Sequence, residues 1–525
     1  MNVHFSKSAP AKAQTVVFLI GPDGALSPQA AALDSKSGGF LTRLLKTHGK
    51  FSGRHGQVLV RTIPDGAGPV HVVFAGTGEA DKLTGRTLEI LGGKILAGLE
   101  GAGIADAFLH VEGGAGRFSA RDVAVRLAAG AKLQDYRFDR YKTKPSAKKA
   151  ESSKTPCASE SETRVQTLTF VVADPAGAQA SWGGLDGATD GTLYVRDLVN
   201  EPPNRLYPES FAQRVKRDLE PLGVKVTVYD EKKLKAMGHT AHLAVGMGSD
   251  HPPRLVVLEW RGAGKKTDKK ADKKVGADRP LAFVGKGLTF DAGGLNLKPT
   301  GGIEDMKLDM AGAATVAALF MVLARRKARV NAVGILGLAE NMISGHSYRP
   351  SDIVETLSGK TVEIGNTDAE GRVVLADCLT YVQRQFSPHT LIDLATLTGA
   401  MMVALGNEYC GTFANDDGLW GALERAGAES GEKIWRMPLD EAWRKEDEGT
   451  ISDLVNIGSG RPNAGACTAA GFLEHFIEEG TRWAHMDIAG VAWIKAARPN
   501  QSKGGTGYGV RLLDCLVAEC FETKT

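Results

Sequence analysis

The chain of 525 residues shows no uninterrupted apolar run near the eighteen or so that cross a bilayer, so membrane insertion is not expected. Cysteine is scarce. Six are spread between Cys157 and Cys520 with no CxxC pair, which argues against a disulfide framework and a zinc ribbon and reads as reduced thiols in a cytosolic protein. Neither HExxH nor GxSxG occurs, and "HFIEE" at 475–479 lacks the last histidine of an inverted zinc motif. Charge of one sign is also lacking: the formal net charge of +3 is small for this length and does not by itself point to nucleic acid. Acids are missing before Asp23, as in a transit peptide, but arginine is missing before Arg43 and the strand-like "TVVFLI" follows. A cytoplasmic protein is expected, with mitochondrial import as the minor alternative.

What is present is a globular composition, 42% apolar and 24% charged, in a chain long enough for two or three domains. Two low-complexity segments punctuate it, at 143–163 ("TKPSAKKAESSKTPCASESET") and 263–279 ("AGKKTDKKADKKVGADR"), and neither could bury a core. The second carries a net +4, more than the whole chain, and reads as a surface loop at a hairpin or sheet edge between "PRLVVLEW" and "RPLAFVG". Its "GAGKKT" is no phosphate loop, because Glu259 or Trp260 stands where the first glycine of GxxxxGK is required. The organisation expected is an N-terminal α/β domain over 1–165 ending in the first segment, a connection over 166–195, and a larger domain over 196–525 carrying the lysine-rich insertion.

From residue 280 on, strand-like runs such as "LAFVG", "VNAVGILGL", "HTLIDLATL" and "WAHMDIAG" alternate with helical patterns such as "GAATVAALFMVLARR" and "RVVLADCLTYVQRQF". In the latter, Val374, Leu375, Cys378, Leu379 and Val382 share one helical face. The alternation predicts a largely parallel sheet with its site at the carboxyl ends of strands. Acids sit there. "EIGNTDAEGRVVLAD" (363–377) places Asp368, Glu370 and Arg372 in a strand-to-helix turn, and "LAFVGKGLTFDAGGLNLKP" (281–299) places Lys286 directly after a strand, then Asp291 and Lys298. Asp309 precedes an apolar helix. Taken singly, Asp368 or Glu370 fits a helix cap, and the others fit solvated loop charges. Together, four carboxylates in one domain would repel unless neutralised, and a pair of divalent metals does that while lowering the pKa of a bound water. Two lysines and an arginine among them suit an anionic transition state. The oxygen-rich set suits Mn²⁺ or Mg²⁺, though zinc also accepts carboxylates.

With "NTDAEGR", "VGKGLTFDAGG" and the spacing of Lys298 and Asp309, the chain from about 195 to 513 closely resembles the leucyl aminopeptidase family of cytosolic two-metal exopeptidases. Supporting stretches include "NEPPNRLYPESFA", "AENMISGHSYRPSDIV", "DLATLTGAM" and "WAHMDIAGVAW". The resemblance implies a smaller macro-like N-terminal domain, a homohexamer, and two metal ions per subunit drawn from Zn, Mn, Co or Mg. It implies that Asp291 and Glu370 bridge the metals, that Asp368 joins one of them, and that Lys286 and Asp309 join the other. It implies further that a two-metal-activated hydroxide cleaves peptides with a free N-terminal amine, that Lys298 holds the oxyanion, and that Arg372 holds a bicarbonate acting as general base. Met306, Thr396, Leu397, Gly399, Ala489 and Ala492 would bind an N-terminal leucine or other large apolar residue. Ala492 stands where some relatives carry methionine, which leaves a roomier pocket, and Ser351 stands where glycine is expected, read as a harmless turn variant. Two further roles stay open beside this one: DNA binding by the basic insertion, and ADP-ribose or nucleotide binding by the N-terminal domain.

Overall fold

Alternation in "TVVFLI" builds a sheet that is buried on both faces: Val16, Phe18 and Ile20 enter one core, while Val17 enters another. Successive side chains of a strand point to opposite faces, so one run serves both. The structure of the protein is a computed structural model and describes residues 1–64, 69–143, 164–263, 279–458 and 464–523. Nearly all of the two low-complexity segments expected as insertions therefore lies outside the described residues. The chain divides into two compact units, Met1–Thr189 with Ala497–Ser502, and Asp190–Ala496 with Lys503–Thr525.

In the first unit, β1 (Asn2–Ser6), β2 (Thr15–Ile20), β3 (Val58–Pro64), β4 (Pro69–Gly76), β5 (Asp106–His110) and β6 (Thr167–Val171) form one sheet in the order β1-β6-β5-β2-β4-β3. All its pairs are parallel except β3 with β4. Helices α1 (Pro28–Lys36) and α2 (Phe40–Thr47) cover one face with Ala30 and Leu41. On the other, α3 (Gly85–Gly101) and α4 (Ala120–Gln134) contribute Leu88, Leu91, Val123 and Leu127. Both of these helices start at side-chain caps: Thr84 accepts from the Thr87 N–H and Ser119 from the Asp122 N–H. A long helix, α5 (Pro175–Asn200), begins in this unit, where Ala178 and Trp182 join the second core.

In the second unit, α6 (Pro208–Leu219), β7 (Lys225–Tyr229), α7 (Glu231–Met237), α8 (Thr240–Gly246) and β8 (Arg254–Arg261) lead into β9 (Leu281–Asp291), α9 (Ala311–Arg325) and β10 (Asn331–Asn341). Then come β11 (Ile353–Glu355), β12 (Thr361–Glu363), α10 (Glu370–Phe386), β13 (Thr390–Ala395), α11 (Gly399–Leu405), β14 (Cys410–Ala414), β15 (Ile434–Arg436), β16 (Leu454–Val455) and β17 (Arg482–Asp487). The main sheet runs β15-β14-β17-β13-β9-β10-β8-β7. Its centre, from β17 to β10, is parallel throughout, and it is flanked by the antiparallel pairings of β14 with β17 and of β8 with β10. The expected α/β class with a mostly parallel central sheet flanked by helices is what the chain adopts.

Two expectations need correction. β8 and β9 do not form a hairpin, because β10 lies between them, parallel to β9 and antiparallel to β8. β12 belongs to a separate three-stranded sheet, β11-β12-β16, and not to the main one. Ile303–Arg325 is long and apolar enough to cross a membrane by length and composition, yet 89% of that apolar window is buried within the protein. Its α9 part is a core helix, apolar on all sides because it is packed on all sides.

Candidate active site

Lys286 is not at a strand end but at the middle of β9, which runs on to Asp291. Glycines in β9 and α10 allow close packing around it. A Cβ on Gly285 would come within 2.5 Å of the Ala313 Cα in α9, and one on Gly371 within 2.6 Å of the Lys286 Cε. The lysine therefore crosses between two helices in space left by missing side chains.

The carboxyl ends of the parallel strands converge on it. Asp291 ends β9, Asn341 ends β10 and pairs with it across the ladder, Thr396 follows β13, and Asp487 ends β17. Asp309 closes a short 3₁₀ segment, Ile303–Leu308, just before α9, and Glu370 is the first residue of α10. Placing an acid at each helix N-terminus sets a negative group against the positive end of the helix dipole. Glu370 and Arg372 thus stand inside the first turn of α10, and both are buried rather than presented to solvent. The capping alternative is not what is seen: the residue at the N-cap of α10 is Ala369 and makes no side-chain cap.

Oxygens from Asp291, Asp309 and Glu370 lie within 4.8 Å of one another, all buried. Lys286 Nζ reaches Asp309 Oδ1 at 2.9 Å, Glu370 Oε1 at 2.8 Å and the Thr396 carbonyl at 3.1 Å. Lys298 Nζ lies 2.8 Å from Asp291 Oδ2 and 2.5 Å from Asp368 Oδ1. The structure thus brings Lys286, Asp291, Lys298, Asp309, Asp368 and Glu370 into one charged cluster. Asp368 is its most open member, with 32% of its side chain exposed.

Crowding shifts these groups together. Burial and the neighbouring Asp291 push the carboxyls of Glu370 and Asp368 above their usual range, and burial with Asp291 does the same to Asp309. Burial alone would lower Lys286 and Lys298, but the surrounding carboxylates outweigh it and raise both. The acids are short of cationic charge, which a divalent ion would supply. Glu370 Oε2 is buried and has no hydrogen-bond partner among the described residues. An all-oxygen set with one free carboxylate oxygen and an amine fits a hard or borderline divalent cation.

The Arg372 guanidinium carbon lies 5.9 Å from the Phe472 ring centroid. Its Nε and Nη1 have no hydrogen-bond partner among the described residues. Of the expected pocket residues, Thr396 donates to Asp309 Oδ1 at 2.7 Å, and the Leu397 and Ala489 N–H groups both donate to Asp487 Oδ1 at 3.1 Å. Asp487 thereby ties the two segments together. Gly399 opens α11 with free space where a Cβ would stand, Met306 lies in the 3₁₀ segment, and Ala492 is buried in the turn after Ile488. Ser351 is no indifferent turn residue: its φ of 72° is left-handed, the region where glycine is unstrained.

Sequence reasoning missed the residues that hold these side chains. Asn341 Nδ2 donates to Asp291 Oδ1 at 2.8 Å and to the Thr367 carbonyl at 3.0 Å, and Tyr348 Oη donates to that same carbonyl at 2.7 Å. Both lie inside "AENMISGHSYRPSDIV", so a signal for them existed. Asn456, described below, gave none.

A strand-end acidic cluster in a two-domain α/β chain defines a hydrolase of the metal-dependent kind, and comparison with known proteins agrees. Residues 193–514 match the cytosol aminopeptidase family, catalytic domain, and residues 16–145 match the N-terminal domain of the same family. A probable cytosol aminopeptidase of Caulobacter vibrioides is 43% identical over 499 residues, 95% of this chain and 94% of that one. One from Gluconobacter oxydans is 44% identical over 517 residues, covering 98% and 96%. Among solved structures, the bottromycin maturation enzyme BotP in complex with Mn matches with a TM-score of 0.80 at 31% identity, covering 96% of this chain and 99% of that one. A mutant tomato leucine aminopeptidase matches with a TM-score of 0.82 at 28% identity, covering 99% and 96%. The chain belongs to the cytosol aminopeptidase family. It is a metal-dependent aminopeptidase.

Proposed function

We propose that the enzyme releases N-terminal leucine and other large apolar residues from peptides, at a centre of two divalent cations per subunit drawn from Zn, Mn, Co or Mg. Asp291, Glu370, Asp368, Lys286 and Asp309 would hold the pair, with Asp291 and Glu370 shared between the ions, Asp368 on one side and Lys286 with Asp309 on the other. When bound, the two cations supply Lewis acidity toward the scissile carbonyl and lower the pKa of water. The chain's own residues do the rest. With the cations in place Lys286 would release its proton to solvent and serve as a neutral ligand, and Lys298, beside Asp368 at the open side of the cluster, would steady the developing oxyanion. Arg372, with Nε and Nη1 unpartnered among the described residues, would hold a small anion, bicarbonate, which would supply the general base for the attacking water. Met306, Thr396, Leu397, Gly399, Ala489 and Ala492 receive the apolar side chain. In this reading the protein works as a homohexamer in the cytoplasm, as its relatives' names suggest for the compartment. Nothing among the described residues favours nucleic-acid or nucleotide binding over it.

The observation that carries the reading is the buried convergence of Asp291, Asp309 and Glu370 with one carboxylate oxygen left unpartnered. The test is hydrolysis of a leucine chromogenic amide before chelation, after it, and after adding back Mn²⁺, Co²⁺ or Zn²⁺, with an N-acetylated substrate as control. Activity should vanish with the metal, return with it, and ignore the blocked amine. Full activity in the metal-free protein would overturn the reading.

A further inference from the structure

The loop that carries Asp368 and Glu370 has no regular structure of its own between β12 and α10, so its shape must come from elsewhere. Its backbone groups are accounted for one by one. The Thr367 N–H donates to Asn296 Oδ1 at 2.9 Å, the Asp368 N–H to Asn366 Oδ1 at 2.7 Å, and the Thr367 carbonyl is held by Asn341 and Tyr348. Four further contacts converge on one side chain, Asn456. Its Oδ1 accepts from the Gly365 N–H at 2.8 Å and from the Asn366 N–H at 3.1 Å. Its Nδ2 donates to the Asn366 carbonyl at 2.7 Å and to the Ala369 carbonyl at 3.3 Å.

An amide side chain has two donors and two acceptor lone pairs, and here all four are used on one five-residue stretch. Asn456 is wholly buried, so water does not compete for them. Its own position is set by β16, which pairs in parallel with β12 so that Leu454 lies beside Val362 and Val455 beside Glu363. The Asn456 N–H then donates to the Glu363 carbonyl at 3.0 Å, continuing the ladder one step. The loop is also pressed onto this segment: a Cβ on Gly365 would meet Ile457 Cγ2 at 2.8 Å and Val455 Cγ2 at 3.2 Å. A two-residue strand thus delivers one side chain beneath the turn that aims two carboxylates.

We infer that Asn456 is a positioning residue of the metal centre: by bridging Gly365, Asn366 and Ala369 it fixes the turn from which Asp368 and Glu370 project, and so tunes metal affinity without touching metal or substrate. The inference rests on the metal reading of those two acids. Groups that orient ligands from behind typically change affinity by about 10–100-fold when removed.

Asn456→Asp keeps the volume and the two acceptor contacts but turns both donor contacts into repulsive oxygen pairs against the Asn366 and Ala369 carbonyls. Gly365→Ala disturbs the same clamp from the loop side and leaves Asn456 in place. Mn²⁺ is titrated calorimetrically into the full-length metal-free protein, and kcat and KM for a leucine amide are then measured at rising Mn²⁺. The expected result is a Kd for Mn²⁺ raised about 10–100-fold in both variants, with KM at saturating metal unchanged and kcat recovering as metal is added. A contribution to folding alone would lower the melting temperature and leave the Mn²⁺ Kd where it was, which overturns the inference. If Asn456→Asp fails to fold by circular dichroism, an unchanged Kd in Gly365→Ala overturns it as well. Absence of Mn²⁺ binding by the wild-type protein would instead overturn the metal reading, and the inference with it.

Discussion

Asp368, Glu370 and Arg372 are two positions apart in sequence but occupy three different environments. Asp368 faces Lys298 and is one-third open, Glu370 is sealed between Lys286 and the turn behind it, and Arg372 points past both toward Phe472. Removing either acid takes a ligand from a cluster already short of positive charge, so Asp368→Ala and Glu370→Ala are expected to lose metal and activity together. Arg372 touches no member of the acid cluster by hydrogen bond or ion pair among the described residues. Arg372→Ala is therefore expected to keep wild-type metal content while kcat falls by about 10²–10⁴, the usual span for losing a proton-transfer group. Metal analysis beside steady-state kinetics separates the cases, and wild-type turnover in Arg372→Ala would remove the anion-holding role. These three residues were legible in sequence because acids and an arginine crowd one strand-to-helix junction. Asn456 was not, because its link to that junction spans about ninety positions and passes through a strand of two residues, too short to leave a periodic signal.

At the level of elements, α9 and α10 were readable as helices from their apolar spacing, although the single apolar face read for α10 understates its burial. Val373, Ala376, Asp377 and Thr380 are buried beside the five residues on that face, because α10 is packed by α8 and β9 as well as by its neighbours in sequence. What spacing cannot show is which side of a sheet partner a strand takes, which is why the β8 and β9 hairpin failed. The contact of α8 with α10 has a consequence for stability. His239 precedes α8, wholly buried, with neither ring nitrogen hydrogen-bonded among the described residues and its ring 5.4 Å from Tyr381. Burial, with some help from His242, holds its pKa down at about 3. An unfolded histidine titrates near 6.5, so the unfolded chain takes up this proton first. The contribution of neutral His239 is therefore complete above pH 6.5 and is lost as pH falls toward about 3. His239→Phe fills the same space without a titrating group. Relative to that variant, the wild type should lose about 2–3 kcal/mol of unfolding free energy between pH 6.5 and 4.5, read by urea denaturation. A difference that stays constant across that range would show that the buried ring is not the group responsible.

Over the whole molecule, the two units differ in what holds them. The first has a six-stranded sheet with a core on each face, and its described residues hold no metal-ligating cluster of the kind in the second. Lys286, Asp291, Asp309, Asp368 and Glu370 all belong to the second unit, so a bound cation adds its free energy to that unit alone. At a free metal concentration of a hundred times Kd this amounts to about 2.7 kcal/mol per site. It also relieves the mutual repulsion of the acids, which among the described residues is met by the ion pairs of Lys286 and Lys298. Six of the seven tryptophans lie in the second unit and only Trp182 in the first, so tryptophan fluorescence follows the metal-holding part of the chain. Calorimetry of the full-length protein should then show that EDTA lowers the transition seen by tryptophan fluorescence by roughly 5 °C or more. A second component, reported in that fluorescence by Trp182 alone and belonging to the first unit, should stay where it was. A single transition that moves as a whole would mean that the two units unfold as one and share the metal's stabilisation. No movement at all would mean that the acid cluster is neutralised by its two lysines alone.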